Sequence, residues 1–150
     1  MRFLALISRE PLDYEYWATE VEVSRLAASA WSALASGKKD EALKLMRSAA
    51  DIEDKNDKHI VTPGRILPAR ELLGQMLLEL QRPAEALVEF EPSQKREPNR
   101  FHGYAGAAQA AAQSGDSAKA KQHYSRLIAL AGENSSRPEI TRAKEFLARH

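Results

Sequence analysis

Three stretches of the chain superpose on one another. "GKKDEALKLMRSAADIED" (Gly37–Asp54), "QRPAEALVEFEPSQKREP" (Gln81–Pro98) and "GDSAKAKQHYSRLIALAG" (Gly115–Gly132) align on Ala42, Ala86 and Ala120, which stand 44 and then 34 residues apart. Four residues beyond each alanine is a large apolar side chain, Met46, Phe90 or Tyr124, and twelve before it a small residue, Ala30, Gly74 or Ala108. Four residues is about one helical turn, and twelve reaches back into a preceding helix, so the repeating object is a pair of helices. A small residue in the first helix and an alanine in the second let the two backbones approach closely, and the bulky side chain fills the gap toward the next pair. Such a pair buries its apolar face only by stacking on a neighbour.

Composition narrows the function. At 150 residues, the chain has the length of one domain, 1–150. Its 22 Lys and Arg residues face 21 Asp and Glu, leaving no broad field to hold nucleic acid or an anionic membrane. The absence of cysteine removes disulfides, zinc-thiolate sites and thiol nucleophiles together. "MRFLALISRE" opens with Arg2 and an apolar run from Phe3 to Ile7, too short for a secretory core and followed by Arg9, Glu10 and Pro11. No segment approaches a membrane span. A soluble chain is expected, cytoplasmic by default, with the periplasm open if it belongs to a longer secreted parent.

The repeat resembles the tetratricopeptide repeat, whose unit is 34 residues. The middle copy carries the resemblance best, with "LLG" at Leu72 to Gly74, "AEAL" at Ala84 to Leu87, Phe90 and a closing Pro98. The chain as a whole is similar to the C-terminal part of longer bacterial tetratricopeptide-repeat proteins of unassigned activity. The resemblance implies an all-α, right-handed α-α superhelix of about three helical hairpins with a C-terminal capping helix. Repeats are expected over about 23–54, 67–98 and 101–132, an insertion over about 55–67, and the capping helix over about 136–149. Asp54 and Gly132 stand where a closing proline belongs in the other two copies. Pro92 lies inside the second helix of the middle copy, and a kink or break is expected near Glu91.

The insertion falls in "KHIVTPGRILPAREL", Lys58 to Leu72. Pro63-Gly64 suits a turn and Pro68 the first turn of the next helix. Ile60, Val61, Ile66 and Leu67 are apolar enough to dock on adjacent helices, making an ordered connector, or a lid beside a groove. Upstream, Glu15 to Ser36 reads as a helix with Trp17, Val21, Ala28 and Trp31 on one side, ending at Gly37. Downstream, Ser136 and Glu139 offer a capping box, with Ile140, Ala143, Phe146 and Leu147 on one face and Arg142, Lys144 and Arg149 outside.

Catalytic and metal motifs are missing. His59, His102, His123 and His150 show no i, i+4 pairing and no HExxH, and His102 and His123 read as helix-surface residues. "DKNDKH" (Asp54 to His59) begins like a calcium loop, but His59 replaces the turn glycine and Arg65 the closing glutamate. No GxSxG or phosphate-binding glycine loop occurs. Neither an enzyme nor a cofactor-binding or metal-binding protein is expected. The resemblance implies a protein–protein interaction module holding a peptide or partner segment in a concave groove. In the family's register the groove positions fall on Ser24, Ala27, Trp31 and Leu34, then Pro68, Glu71, Gln75 and Glu79, then His102, Ala105, Gln109 and Gln113. The partner-binding candidates are Trp31, Glu71, Gln75, Glu79, His102, Gln109 and Gln113. Ala27 and Trp31 replace the Lys and Asn by which some relatives clamp a C-terminal carboxylate, which disfavours a chaperone-tail receptor. The alternative is an assembly segment, stacking on further repeats or on a second copy through Phe3, Leu4 and Trp17 at the N-terminal edge.

Overall fold

The structure, a computed structural model, describes residues 11–56, 65–132 and 134–149. Phe3 to Ile7 and, in the connector, His59 to Gly64 lie outside them. Among the described residues are seven helices and no strand: α1 (Pro11–Ala35), α2 (Lys39–Lys55), α3 (Ala69–Glu79), α4 (Pro83–Arg96), α5 (Phe101–Ser114), α6 (Ser117–Ala131) and α7 (Pro138–Arg149). They fall into two compact units, Met1–Arg65 and Ile66–His150.

The turns of the three hairpins are built alike. Lys38 N–H donates to the Ala33 carbonyl at 2.9 Å, Arg82 N–H to Leu77 at 2.8 Å and Asp116 N–H to Ala111 at 2.9 Å. The residue before each donor has a left-handed backbone: Gly37 at φ 78°, Gln81 at 58° and Gly115 at 85°. This is the Schellman ending, in which a positive φ turns the chain back and satisfies carbonyls of the last helical turn. Glycine adopts it freely, whereas Gln81 holds it against its own Cβ. The three positions are the first residues of the three aligned stretches, so the recurrence in sequence is also a recurrence of backbone shape.

In the N-terminal unit α1 packs on α2. Its buried face is Val23, Leu26, Ala27, Ala30 and Ala33, against Ala42, Leu43, Met46, Ala49 and Ala50 on α2. The side that carries Trp17, Val21, Ala28 and Trp31 is a different one: Trp17 is 53 % and Val21 68 % exposed, Ala28 is exposed and Trp31 is only partly covered. Alanines win because they let α2 come close along much of its length, where large side chains would hold it off. Arg65, at the end of the unit, is drawn onto the hairpin. Its guanidinium lies 2.9 Å from Glu20 and 3.4 Å from Glu53 and donates to the Asn56 carbonyl at 2.8 Å.

In the C-terminal unit each helix from α3 to α7 packs on the next, and α3 also touches α5. Ala86, Ala108, Ala120, Met76, Leu77, Leu127 and Ile140 are fully buried, with Leu73 nearly so. Phe90 is the key of the middle hairpin, since a Cβ on Gly74 would lie 2.8 Å from its ring and one on Gly106 would overlap it. Gly74 on α3 and Gly106 on α5 thus leave the space that one phenyl ring fills.

Several expectations fail here for physical reasons. Helix α4 is continuous through Pro92, so the chain does not break near Glu91. The proline deprives the Val88 carbonyl of its intrahelical donor, but both residues are exposed, so water can satisfy that carbonyl. Ile66 and Leu67 do not dock, being 87 % and 60 % exposed; a side chain ties down their backbone instead, the Arg100 guanidinium donating to the Ile66 carbonyl at 2.7 Å. Pro68 occupies the cap position before α3 rather than its first turn. Helix α7 begins at Pro138, so Arg137, whose carbonyl accepts from Thr141 N–H, stands where the capping box needs Ser136. Its Ile140 and Ala143 are buried and Lys144 and Arg149 exposed, as a closing helix requires.

His123 is not a surface residue. It is buried beside the Tyr104 ring, and its Nε2 has no hydrogen-bond partner among the described residues. Burial lowers its pKa below the ordinary 6.5, against the attraction of Glu91 and Asp116 and with help from Lys119. Below about pH 6.5 the unfolded chain takes up a proton here that the folded chain resists, so stability falls as the solution is acidified. Chemical denaturation at pH 7.5 and at pH 5 is expected to show a larger loss for the parent than for His123→Phe. Equal losses would contradict it.

Candidate functional site

One face of the C-terminal unit holds a pocket of about 300 Å³, walled by α3, α5 and α7. Helix α3 contributes Glu71, Leu72, Gln75, Leu78 and Glu79, and α5 contributes His102, Ala105, Gly106 and Gln109. The apolar base comes from Leu78, Phe90, Tyr124 and Leu127, and the far wall from Glu139 and Arg142 of α7. Gln75, Glu79 and His102 are exposed, and Ala105 and Gln109 are half-buried. Residues one turn apart on α3, Gln75 and Glu79, therefore present polar heads above a greasy base.

Glu71 differs from the others. It is buried, and its carboxylate accepts from Arg100 at 2.7 Å. Gly103 makes room for it, since a Cβ there would sit 2.9 Å from its Oε1. A buried carboxylate is tolerable only when paired, so Glu71 acts as a neutralised strut beneath the pocket. The surrounding ties have the same character: Arg70 bonds Glu89 between α3 and α4 at 2.5 Å, and the Gln94 side chain donates to the Gly103 carbonyl at 3.1 Å.

Of the residues singled out in the sequence, Glu71, Gln75, Glu79, His102 and Gln109 line this pocket together. Gln113 is exposed in the last turn of α5 and is not among the lining residues. Trp31 belongs to the other unit, partly exposed on α1. Sequence reasoning missed the base and the far wall. The repeat pattern gives Phe90 and Tyr124 only a packing role, and helix periodicity places Arg142 on the outside of the closing helix, where it is exposed but also borders the pocket. The i, i+3 spacing of Glu139 and Arg142 was the available signal for the wall. Among the described residues no cluster of His, Asp or Glu is arranged to hold a metal ion, and no helix is long and apolar enough to cross a membrane.

No protein-family model matches the chain, and the sequence of no curated protein matches it. Solved structures do. The first tetratricopeptide-repeat domain of Spaghetti (RPAP3), bound to the HSP90 peptide SRMEEVD, superposes with a TM-score of 0.67 at 15% identity, covering 85% of this chain and 92% of that one. PcrH from Pseudomonas aeruginosa gives a TM-score of 0.63 at 20% identity, with 85% and 89% covered. The first such domain of human RPAP3 gives 0.64 at 17% identity, with 85% and 94% covered. The fold is that of tetratricopeptide-repeat domains.

Proposed function

We propose that the chain is a non-enzymatic interaction module whose C-terminal unit holds a peptide segment in the α3–α5–α7 pocket. The observation that carries the reading is the meeting of Gln75 and Gln109 amides with the apolar base of Leu78, Phe90 and Leu127 in one opening. Side-chain amides can both donate to and accept from an extended backbone, while the base takes an apolar side chain. A volume of about 300 Å³ admits one or two side chains, which favours a peptide over a folded surface. The neighbour that carries a bound HSP90 peptide supports the use of this fold for peptides. Its ligand SRMEEVD is acidic, and the positions where some relatives carry a carboxylate clamp are Ala27, which is buried, and Trp31 here. A different peptide chemistry is therefore expected.

The test is selection of random heptapeptides on the full chain, followed by affinity measurement on Gln75→Ala/Gln109→Ala. Two lost hydrogen bonds at roughly 0.5–1.5 kcal/mol each predict about a 5- to 150-fold weaker complex. The thermal midpoint should hold, because Gln75 is exposed and Gln109 half-buried. A selected peptide indifferent to both changes would remove the pocket from the reading.

A second reading, assembly, is favoured by the stripe of Tyr14, Trp17 and Val21 on α1, which are 81 %, 53 % and 68 % exposed. Apolar side chains repeated at i, i+3 and i+7 on one exposed helix face suit a second helix. It predicts self-association in analytical ultracentrifugation that Trp17→Glu abolishes. A monomer at every concentration would count against it.

A further inference from the structure

We infer that the segment held in the pocket carries an aliphatic anchor next to a lysine or arginine, and that Glu79 selects the cation. The inference rests on the reading of the pocket as a peptide site. Three carboxylates line the opening, but they are not equivalent. Glu71 is buried and neutralised by Arg100 at 2.7 Å. Glu139 stands one turn from Arg142 on the same wall, so a ligand there meets two opposite charges that largely cancel. Glu79 is exposed, and it has no ion-pair partner among the described residues.

The position of Glu79 strengthens its effect. It is the last residue of α3, where the C-terminal end of the helix dipole adds negative potential. A carboxylate at a helix C-terminus is unfavourable by itself, and a bound ammonium or guanidinium relieves it. Leu78, the preceding residue, lines the apolar base, and Leu67, 60 % exposed, borders the same opening. An aliphatic side chain lodged on Leu78 and Phe90 therefore brings its neighbour in the ligand to the end of α3. An acidic segment meets repulsion at the same place.

The probes are the consensus heptapeptide from the random selection and two synthetic versions, with its cation replaced by Ala or by Glu. Fluorescence anisotropy on the full chain at low salt is expected to show roughly fivefold weaker binding for the Ala version and weaker still for the Glu version, as for an exposed ion pair. The differences should shrink at high salt. Glu79→Gln should erase the preference among the three peptides while keeping binding that depends on the aliphatic anchor. The inference falls if the selection enriches Asp or Glu, if an anchor is enriched without a cation, or if the preference survives in Glu79→Gln. In each case the pocket remains a peptide site provided that Gln75→Ala/Gln109→Ala weakens binding. If no anchor-dependent peptide is recovered, both readings fall together.

Discussion

Arg65→Ala is expected to lower the unfolding free energy by about 3–5 kcal/mol, the effect of stripping the partner from buried carboxylates. The Arg65 side chain is 7% exposed and the paired Glu53 and Glu20 side chains 6% and 19%, so solvent screens the cluster little. Burial works against the charge on Arg65, yet the hydrogen bond to Glu20 and the charges of Glu53 and Glu20 more than offset it, and its pKa is raised above the ordinary arginine value. Its removal leaves two acidic groups facing each other across α1 and α2. Against a total stability of about 5–15 kcal/mol such a loss should be plain in urea denaturation. Adding Glu20→Gln and Glu53→Gln to the same chain should restore much of the loss, because neutral amides need no counter-charge. A denaturation midpoint unmoved by Arg65→Ala would show that the cluster contributes nothing to stability.

Gly106→Ala should also destabilise, although alanine is ordinarily the better helix former by about 1 kcal/mol. The added methyl would overlap the Phe90 ring, which is 3% exposed and has Gly74 on its other side at 2.8 Å from a Cβ position. Overpacking of this kind costs about 1–3 kcal/mol, or roughly 2–4 °C in thermal midpoint for each kcal/mol at this chain length. Phe90→Leu alone should cost stability by leaving a void, and the pair Gly106→Ala/Phe90→Leu should be more stable than the sum of the two losses. A midpoint equal to or above the parent for Gly106→Ala would mean that the ring can move aside freely.

The legible part of the fold was the part written in short-range pattern. Ala42, Ala86 and Ala120 are all fully buried, and so are Met46, Ala30 and Ala108. The hairpin turns recur because a positive φ at Gly37, Gln81 and Gly115 is a local demand of the chain. The packing face of α1 is not legible in the sequence because that helix carries two apolar faces, and periodicity cannot choose between Trp17 with Val21 and Val23 with Leu26. Burial of the second depends on where α2 lies. In the same way, the break anticipated at Pro92 is absent where Val88 and Pro92 both lie on the exposed side of α4, a property of the packed unit.

The candidate site divides along the same line. That Gln75 and Glu79 share a face follows from the geometry of one helix, as does the nearness of Glu139 to Arg142, three residues apart, on another. Only tertiary structure brought α7 to the opposite wall, neutralised Glu71 with an arginine 29 residues away, and buried His123 beside Tyr104. Helical period and turn conformation are fixed by interactions among residues a few positions apart, which a single sequence exposes. The charge state of a buried group and the composition of a pocket depend on which distant side chains the folded backbone brings within a few ångströms.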